Sequence, residues 1–226
     1  LEQLLARIIS RTTHNRSDSG AAAAEATKKQ EAEWLRKLEK SGIHRRYQGC
    51  TIDSLFGQNA PTQISDAMAA VMQYVEDLEK NIKSGRGLIL MGPVGTGKTS
   101  AAAAVLQYGL KRDYGGMFIG MSSLLDTIFT TKEKNRDEWV EFERRLRETS
   151  ILVIDDLGTE KPEGWVQIKL DSIVSERYNR LKPIIVTTNL DAKELKNTYS
   201  ARIIDRLRQT NRSLAFPGPS LRETAT

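Results

Sequence analysis

Cysteine is almost missing from this chain. Cys50 is the only one among 226 residues, so no internal disulfide can form and a reducing compartment is expected. Histidine is equally scarce: His14 and His44 stand apart from each other, which excludes a structural zinc site built on His/Cys spacing. Long apolar runs are missing too. No stretch approaches the roughly 20 residues that cross a bilayer, and the N-terminus carries no basic-then-apolar signal pattern. No membrane association and a cytoplasmic location are therefore expected. Apolar residues make up 39% of the chain and charged ones 28%, a balance that suits a folded core with a solvated helical appendage. The net charge of +5 is compatible with a polyanionic partner but too small to require one. The chain opens on Leu1 rather than methionine, and further residues are expected upstream.

What is present is concentrated in one segment. Gly92-Pro93-Val94-Gly95-Thr96-Gly97-Lys98-Thr99 matches G-x-x-x-x-G-K-[ST], the phosphate-binding loop of nucleoside-triphosphatases. The apolar run Gly87–Met91 before it reads as a buried parallel strand, and the Ala-rich run from Ser100 to Leu106 after it reads as a helix. Strand, loop and helix therefore come in the order in which the motif works. Main-chain amides from Gly92 to Ser100 and the helix N-terminus would face the phosphates of ATP. Lys98 would reach the β- and γ-phosphates, and the Thr99 hydroxyl would ligate Mg²⁺.

The N-terminal part is organised differently. Residues 1–10 can form a short amphipathic helix with Leu4, Leu5, Ile8 and Ile9 on one side, and the polar stretch 11–20 reads as a linker. Residues 21–40 are rich in Ala, Glu and Lys, with Trp34 and Leu38 as the main apolar exceptions, and form either a solvated spacer or an arm that docks on another protein. The expected division is a helical arm and linker over residues 1–42 and an ATPase domain over 43–226. Within the latter, apolar strand candidates at Gly87–Met91, Met117–Gly120, Ile151–Ile154, Ile184–Thr187 and Ser213–Phe216 alternate with helical patterns at Thr62–Ser84, Thr99–Lys111, Ser122–Phe129, Trp139–Thr149, Trp165–Asn179 and Ser200–Arg208. Such alternation predicts an α/β fold, a five-stranded parallel sheet with helices on both faces.

Three further motifs extend the chemistry. Ile151-Leu152-Val153-Ile154-Asp155-Asp156 describes a buried strand that delivers carboxylates at its tip. Asp155 would hold the Mg²⁺ shell, in the Walker-B role, and Asp156 would orient or deprotonate the attacking water. Ile184-Ile185-Val186-Thr187-Thr188-Asn189 ends a strand on polar residues that can hydrogen-bond a water or the γ-phosphate; Asn189 is preferred to Thr188. In Ala201–Arg208, Arg202 and Arg206 share a helix face while Ile203, Ile204 and Leu207 face inward. The two arginines could stabilise γ-phosphate charge in a neighbouring subunit as an arginine finger, or simply form intrachain pairs on a basic surface helix.

The order GPVGTGKT, ILVIDDLG, PIIVTTNL, ARIIDRLR and PGPSLR resembles the DnaC/IstB-like branch of the AAA+ ATPases, over roughly Gly42 to Arg222. That branch includes bacterial and phage helicase loaders and the ATPase helpers of some transposons. The resemblance implies Asn189 as sensor 1, Arg206 as the trans-acting finger with Arg202 accessory, Arg222 as the sensor-2 arginine, and the segment 42–48 along the adenine pocket. Four residues follow Arg222, and an ATPase domain lacking the full helical lid domain of larger relatives is expected. A cysteine zinc cluster found upstream in many loaders is not present in this sequence, whether by truncation or by real absence, and Asp156 stands where other branches carry glutamate, which would suit slow, switch-like hydrolysis.

The function so implied is that of an ATP-dependent helicase loader in DNA replication. It would bind a replicative helicase and single-stranded DNA, self-associate through the ATP site, and use hydrolysis to release the assembly. Lys132, Lys134, Arg136, Arg144 and Arg145 are candidates for DNA contact, although the acids among them also fit a solvated helix pair. The alternatives are an IstB-like helper of a DNA transposase, a nucleotide-gated scaffold that barely hydrolyses ATP, and more remotely a P-loop small-molecule kinase, for which no acceptor pocket or arginine-rich lid is evident.

Overall fold

The computed structural model describes residues 25, 27–55, 65–134, 136–158 and 164–221. The expected helix over residues 1–10, the linker over 11–20 and Arg222 lie outside them. The chain divides into two units, Leu1–Lys40 and Ser41–Thr226. In the first, residues 27–40 are helical (α1), their side chains mostly exposed, with Lys37 pairing Glu33 one turn earlier at 3.5 Å.

In the second unit a 3₁₀ turn at Arg45–Tyr47 and a short helix α2 (Ile52–Leu55) precede α3 (Ser65–Glu76) and α4 (Leu78–Lys83). There follow β1 (Gly87–Met91), α5 (Lys98–Leu110), β2 (Gly116–Gly120), α6 (Met121–Lys134), α7 (Arg136–Glu148), β3 (Ile151–Asp155) and α8 (Gly164–Asn179). The unit closes with β4 (Ile184–Thr188), α9 (Ala192–Thr198), α10 (Ala201–Thr210) and β5 (Asn211–Ala215). The strands form a five-stranded, all-parallel sheet in the order β2-β3-β4-β1-β5.

Side chains alternate across each strand and so divide the core into two layers. Ile89, Met117, Ile119, Leu152, Ile154, Ile184 and Val186 pack with α6 to α10 through Leu124, Leu146, Leu170, Ile173, Ile203 and Leu207. Leu88, Leu90, Ile151, Val153 and Ile185 have the opposite parity, and α5 lies against the strands on that side. Ala101, Ala102, Ala103 and Ala104 are all 0% exposed, so the low-complexity alanine run is what lets α5 approach the sheet closely.

At the N-terminal edge of the sheet, Arg177 of α8 is 0% exposed and has no ion pair among the described residues; burial pushes its guanidinium down to about 9. It donates instead to the carbonyls of Leu146 (2.9 Å), Thr149 (3.0 Å) and Pro183 (2.7 Å), closing the end of α7 and the approaches to β3 and β4.

The helix expected over Thr62–Ser84 is interrupted. Asp77, at φ −89° and ψ 17°, separates α3 from α4, and the residues before Ser65 are outside the described set. Two short helices, α2 and α9, lie outside the expected helical patterns.

Candidate nucleotide-binding site

The strand order decides which residues meet. Parallel register puts Met91, Thr188 and Ala215 side by side, and Gly120 beside Asp155, so the C-terminal tips of the strands share one edge. Because β4 stands between β1 and β3, its tip residue Asn189 falls between the lysine loop and the acidic strand. The sequence order β1, β3, β4 would not reveal this.

The loop from Gly92 to Gly97 has backbone angles that glycine favours, with φ of 151°, 84° and 92° at Gly92, Gly95 and Gly97. It leads into α5, whose N-cap is Gly97 with no capping side chain. No hydrogen bond uses the amides of Val94, Gly95, Thr96 or Gly97 as donors among the described residues. Four neighbouring N–H groups at a helix N-terminus, left without an acceptor, form an anion cradle. The fit to a polyphosphate rests on that arrangement.

Lys98 is 4% exposed and its Nζ donates to the carbonyls of Gly92 (2.8 Å) and Pro93 (2.7 Å) and to Asn189 Oδ1 (2.9 Å). The ammonium is thus held over the loop by the residue at the tip of β4. Thr187, one step inside β4, donates from its hydroxyl to Asp155 Oδ1 at 2.6 Å and accepts from the Asp156 amide at 2.9 Å. Asp155 is buried. Burial pushes its carboxyl up and the neighbouring Asp156 charge adds to this, while hydrogen bonds from Thr187 and Thr99 and the proximity of His44 pull it back.

Thr99 and Asp155 are therefore adjacent, the pair that would hold a Mg²⁺. No cluster of three His, Cys, Asp or Glu side chains occurs among the described residues. When bound, the metal would neutralise charge on the β- and γ-phosphates.

Asp156 adopts φ 57°, a left-handed conformation unusual for a residue with a Cβ, and its side chain is exposed to the cleft. The turn is pinned on both sides: the Leu157 amide donates to Thr187 O at 2.9 Å, and the Thr188 hydroxyl donates to Leu157 O at 2.6 Å.

The cleft has a volume of about 370 Å³, and its lining includes Arg46, Tyr47, Val94, Lys98, Thr99, Ser100, Asp156, Asn189 and Leu221. Arg46 and Tyr47 come from the segment expected along the base. They are held there by Gln107 of α5, whose Nε2 donates to Tyr47 O (2.9 Å) and Cys50 O (2.7 Å). A buried polar residue following the apolar run Ala101–Leu106 is the sequence signal for this strut. Thr187 was also passed over in favour of its neighbours.

On the far side, the segment 216–221 folds back along the loop. The Phe216 amide donates to Met91 O (2.7 Å) and that of Leu221 to Gly95 O (3.0 Å). A Cβ on Gly92 would lie 2.1 Å from Phe216 O.

The arginines of α10 are elsewhere. Arg206 Nη1 donates to Asp171 Oδ1 at 2.9 Å and to the Ser175 hydroxyl, both on α8, and Arg202 approaches Asp171 at 3.7 Å. Neither lines the cleft of its own chain. Of the basic residues considered for DNA, Arg144 is engaged by Glu141 and Glu148 on its own helix.

An all-parallel sheet in this order, a phosphate loop on its central region and acid and amide side chains at adjacent tips define a P-loop nucleotide-binding domain of the AAA+ class. Residues 25–225 match the IstB-like ATP binding protein family, and the chain belongs to that family. It is 26% identical over 176 residues to the replicative helicase loader DnaC of Escherichia coli (strain K12), covering 78% of this chain and 70% of that protein. To the replicative helicase loader DnaI of Bacillus subtilis (strain 168) it is 29% identical over 147 residues, 62% of this chain and 46% of that one. The crystal structure of the DnaC helicase loader matches with a TM-score of 0.66 at 24% identity, over 76% of this chain and 99% of that one, which shows a shared fold. No helix among the described residues is long and apolar enough to cross a membrane.

Proposed function

We propose that this protein is a cytoplasmic ATP-dependent helicase loader, which binds a replicative helicase and single-stranded DNA and uses slow ATP hydrolysis as an assembly and release switch. The observation that carries the reading is the convergence of Lys98, Thr99, Asp155 and Asn189 on a loop with four open amides, in a chain related to two helicase loaders. ATP binds with its phosphates on the loop and its base toward Arg46 and Tyr47. Thr99 and Asp155 would hold Mg²⁺, which would offset charge on the phosphates. Asp156, at the strained turn, orients water for attack on the γ-phosphate, and Asn189 leaves Lys98 to report the γ-phosphate. Arg206, with Arg202 beside it, serves the site of a neighbouring subunit, which makes ATP the link between protomers. Arg222 reads the nucleotide in cis.

The test is a loading assay. The helicase of the same cell, circular single-stranded DNA and ATP are mixed with the protein, and helicase retained on the circle after gel filtration is measured. Retention should depend on the wild-type protein and disappear with Lys98→Ala. Retention that is equal with and without the protein refutes the loader role.

A second reading, an IstB-like ATPase helper of a DNA transposase, is favoured by the family match over residues 25–225. Tighter ATP-dependent binding to duplex than to single-stranded DNA, with no helicase retained, selects it.

A further inference from the structure

Behind the tips that carry the nucleotide cleft lies a second, separate cavity, of about 190 Å³. It lies between the sheet face and helices α9 and α10 and opens to solvent on one side, where the exposed Ala192, Lys196, Arg208 and Ser213 line it. Its walls are apolar: Ile89 and Met91 of β1, Val186 of β4, Leu157, Leu195 of α9 and Leu207 of α10. Two cations, Lys196 and Arg208, also line it, and both side chains are exposed, so they stand where the cavity meets solvent. They line the open groove outside as well, together with Asp205 and Gln209. Neither cation has a hydrogen bond or ion pair among the described residues. Asp205 is the one acid of that groove, which leaves an excess of one positive charge at the entrance.

Apolar volume of this size can take a small ring, since an engineered apolar cavity of about 150 Å³ binds benzene. The cavity here is larger, and its mouth is basic. We propose that it is a binding site for a small amphipathic anion: an aromatic or branched aliphatic carboxylate or sulfonate, with its apolar body among Ile89, Val186, Leu195 and Leu207 and its anionic head at Lys196 and Arg208. Apolar burial supplies the affinity, and the two cations select an anion over a neutral hydrocarbon. The site also abuts the nucleotide machinery from behind. Met91 immediately precedes Gly92, Leu157 immediately follows Asp156, and Leu195 belongs to the helix that starts just after Asn189. An occupant therefore braces the loop, the acidic turn and the tip of β4 together.

The experiment uses the full chain with 4-fluorobenzoate as the probe, followed by ¹⁹F NMR with and without saturating ATP and Mg²⁺. Saturable binding with a Kd in the millimolar range, the scale for a ligand this small, is expected, and it should persist when nucleotide is present. The double variant Lys196→Gln/Arg208→Gln alters only exposed side chains and should weaken the probe roughly tenfold while leaving neutral fluorobenzene unaffected. Ala192→Phe, which fills the entrance from an exposed position on α9, should abolish both. Displacement of the probe by ATP would put it in the nucleotide cleft and overturn the proposal. So would absence of saturable binding, or an affinity indifferent to the two cations.

Discussion

The hydroxyl of Thr187 does two things at once: it donates to the buried Asp155 carboxyl and accepts from the Asp156 amide. Thr187→Val keeps the shape and removes both bonds. A hydrogen bond to a charged group contributes about 1.5–3 kcal/mol, and a main-chain donor left unpaired costs about 1–3 kcal/mol. The sum is on the order of 4 kcal/mol, a sizeable share of the roughly 5–15 kcal/mol that holds a domain folded. For a chain this long, each kcal/mol moves Tm by about 2–4 °C, so a fall of roughly 10 °C is expected in the nucleotide-free protein. Thr187→Ser keeps the hydroxyl and loses one buried methyl, a cost of about 1 kcal/mol. Urea and thermal unfolding of the three proteins read the difference directly. The Val variant should also need higher pH for Mg²⁺-dependent stabilisation by ATP, because Thr187 no longer opposes the upward push that burial exerts on Asp155. If Val and Ser prove equally stable, or Val matches wild type, the hydroxyl does not organise this turn.

Asp155 has a raised folded-state pKa, so the stability it contributes is present below the ordinary carboxylate value and is lost as pH rises through the raised one. Asp155→Asn should therefore raise the Tm of the nucleotide-free protein by about a few degrees near neutral pH while ending Mg²⁺-dependent turnover; a lower Tm would contradict the burial argument. Gly92→Ala places a Cβ 2.1 Å from Phe216 O and should cost about 3 kcal/mol or more, whereas Gly49→Ala, with nothing within 4 Å, should be nearly neutral in the same melts. Arg206→Ala should lose about 1 kcal/mol through Asp171 and Ser175, keep ATP affinity within about twofold, and cut phosphate release by orders of magnitude if subunits share a site; unchanged turnover in a concentrated sample removes the finger assignment.

Much of this architecture could be read from residue order because local pattern and final environment agree. The run at Gly87–Met91 is apolar throughout since the strand is covered on both faces, and the glycines of the loop announce backbone angles no other residue accepts easily. β5 was harder to place: the expected run was Ser213–Phe216, while the strand is Asn211–Ala215, beginning on polar residues because pairing with β1, not side-chain pattern, sets its start. Helix α9 is only seven residues long and lacks an apolar stripe, yet its capping box, Asp191 with Glu194, was visible in the sequence. Lateral strand order cannot be seen in a linear chain, and with it went the meeting of Lys98 and Asn189. Thr187 and Gln107 were missed for a related reason. Each is a polar residue in an apolar run, and its partner lies 32 or about 60 residues away.

The return of residues 216–221 along the loop has a mechanical implication. Two main-chain bonds, at Met91 and Gly95, rivet the last described stretch to the proposed phosphate loop. A molecule that takes hold of this stretch has a lever on nucleotide affinity without approaching the cleft, and ATP, by stiffening the loop, would set the posture of that stretch in return.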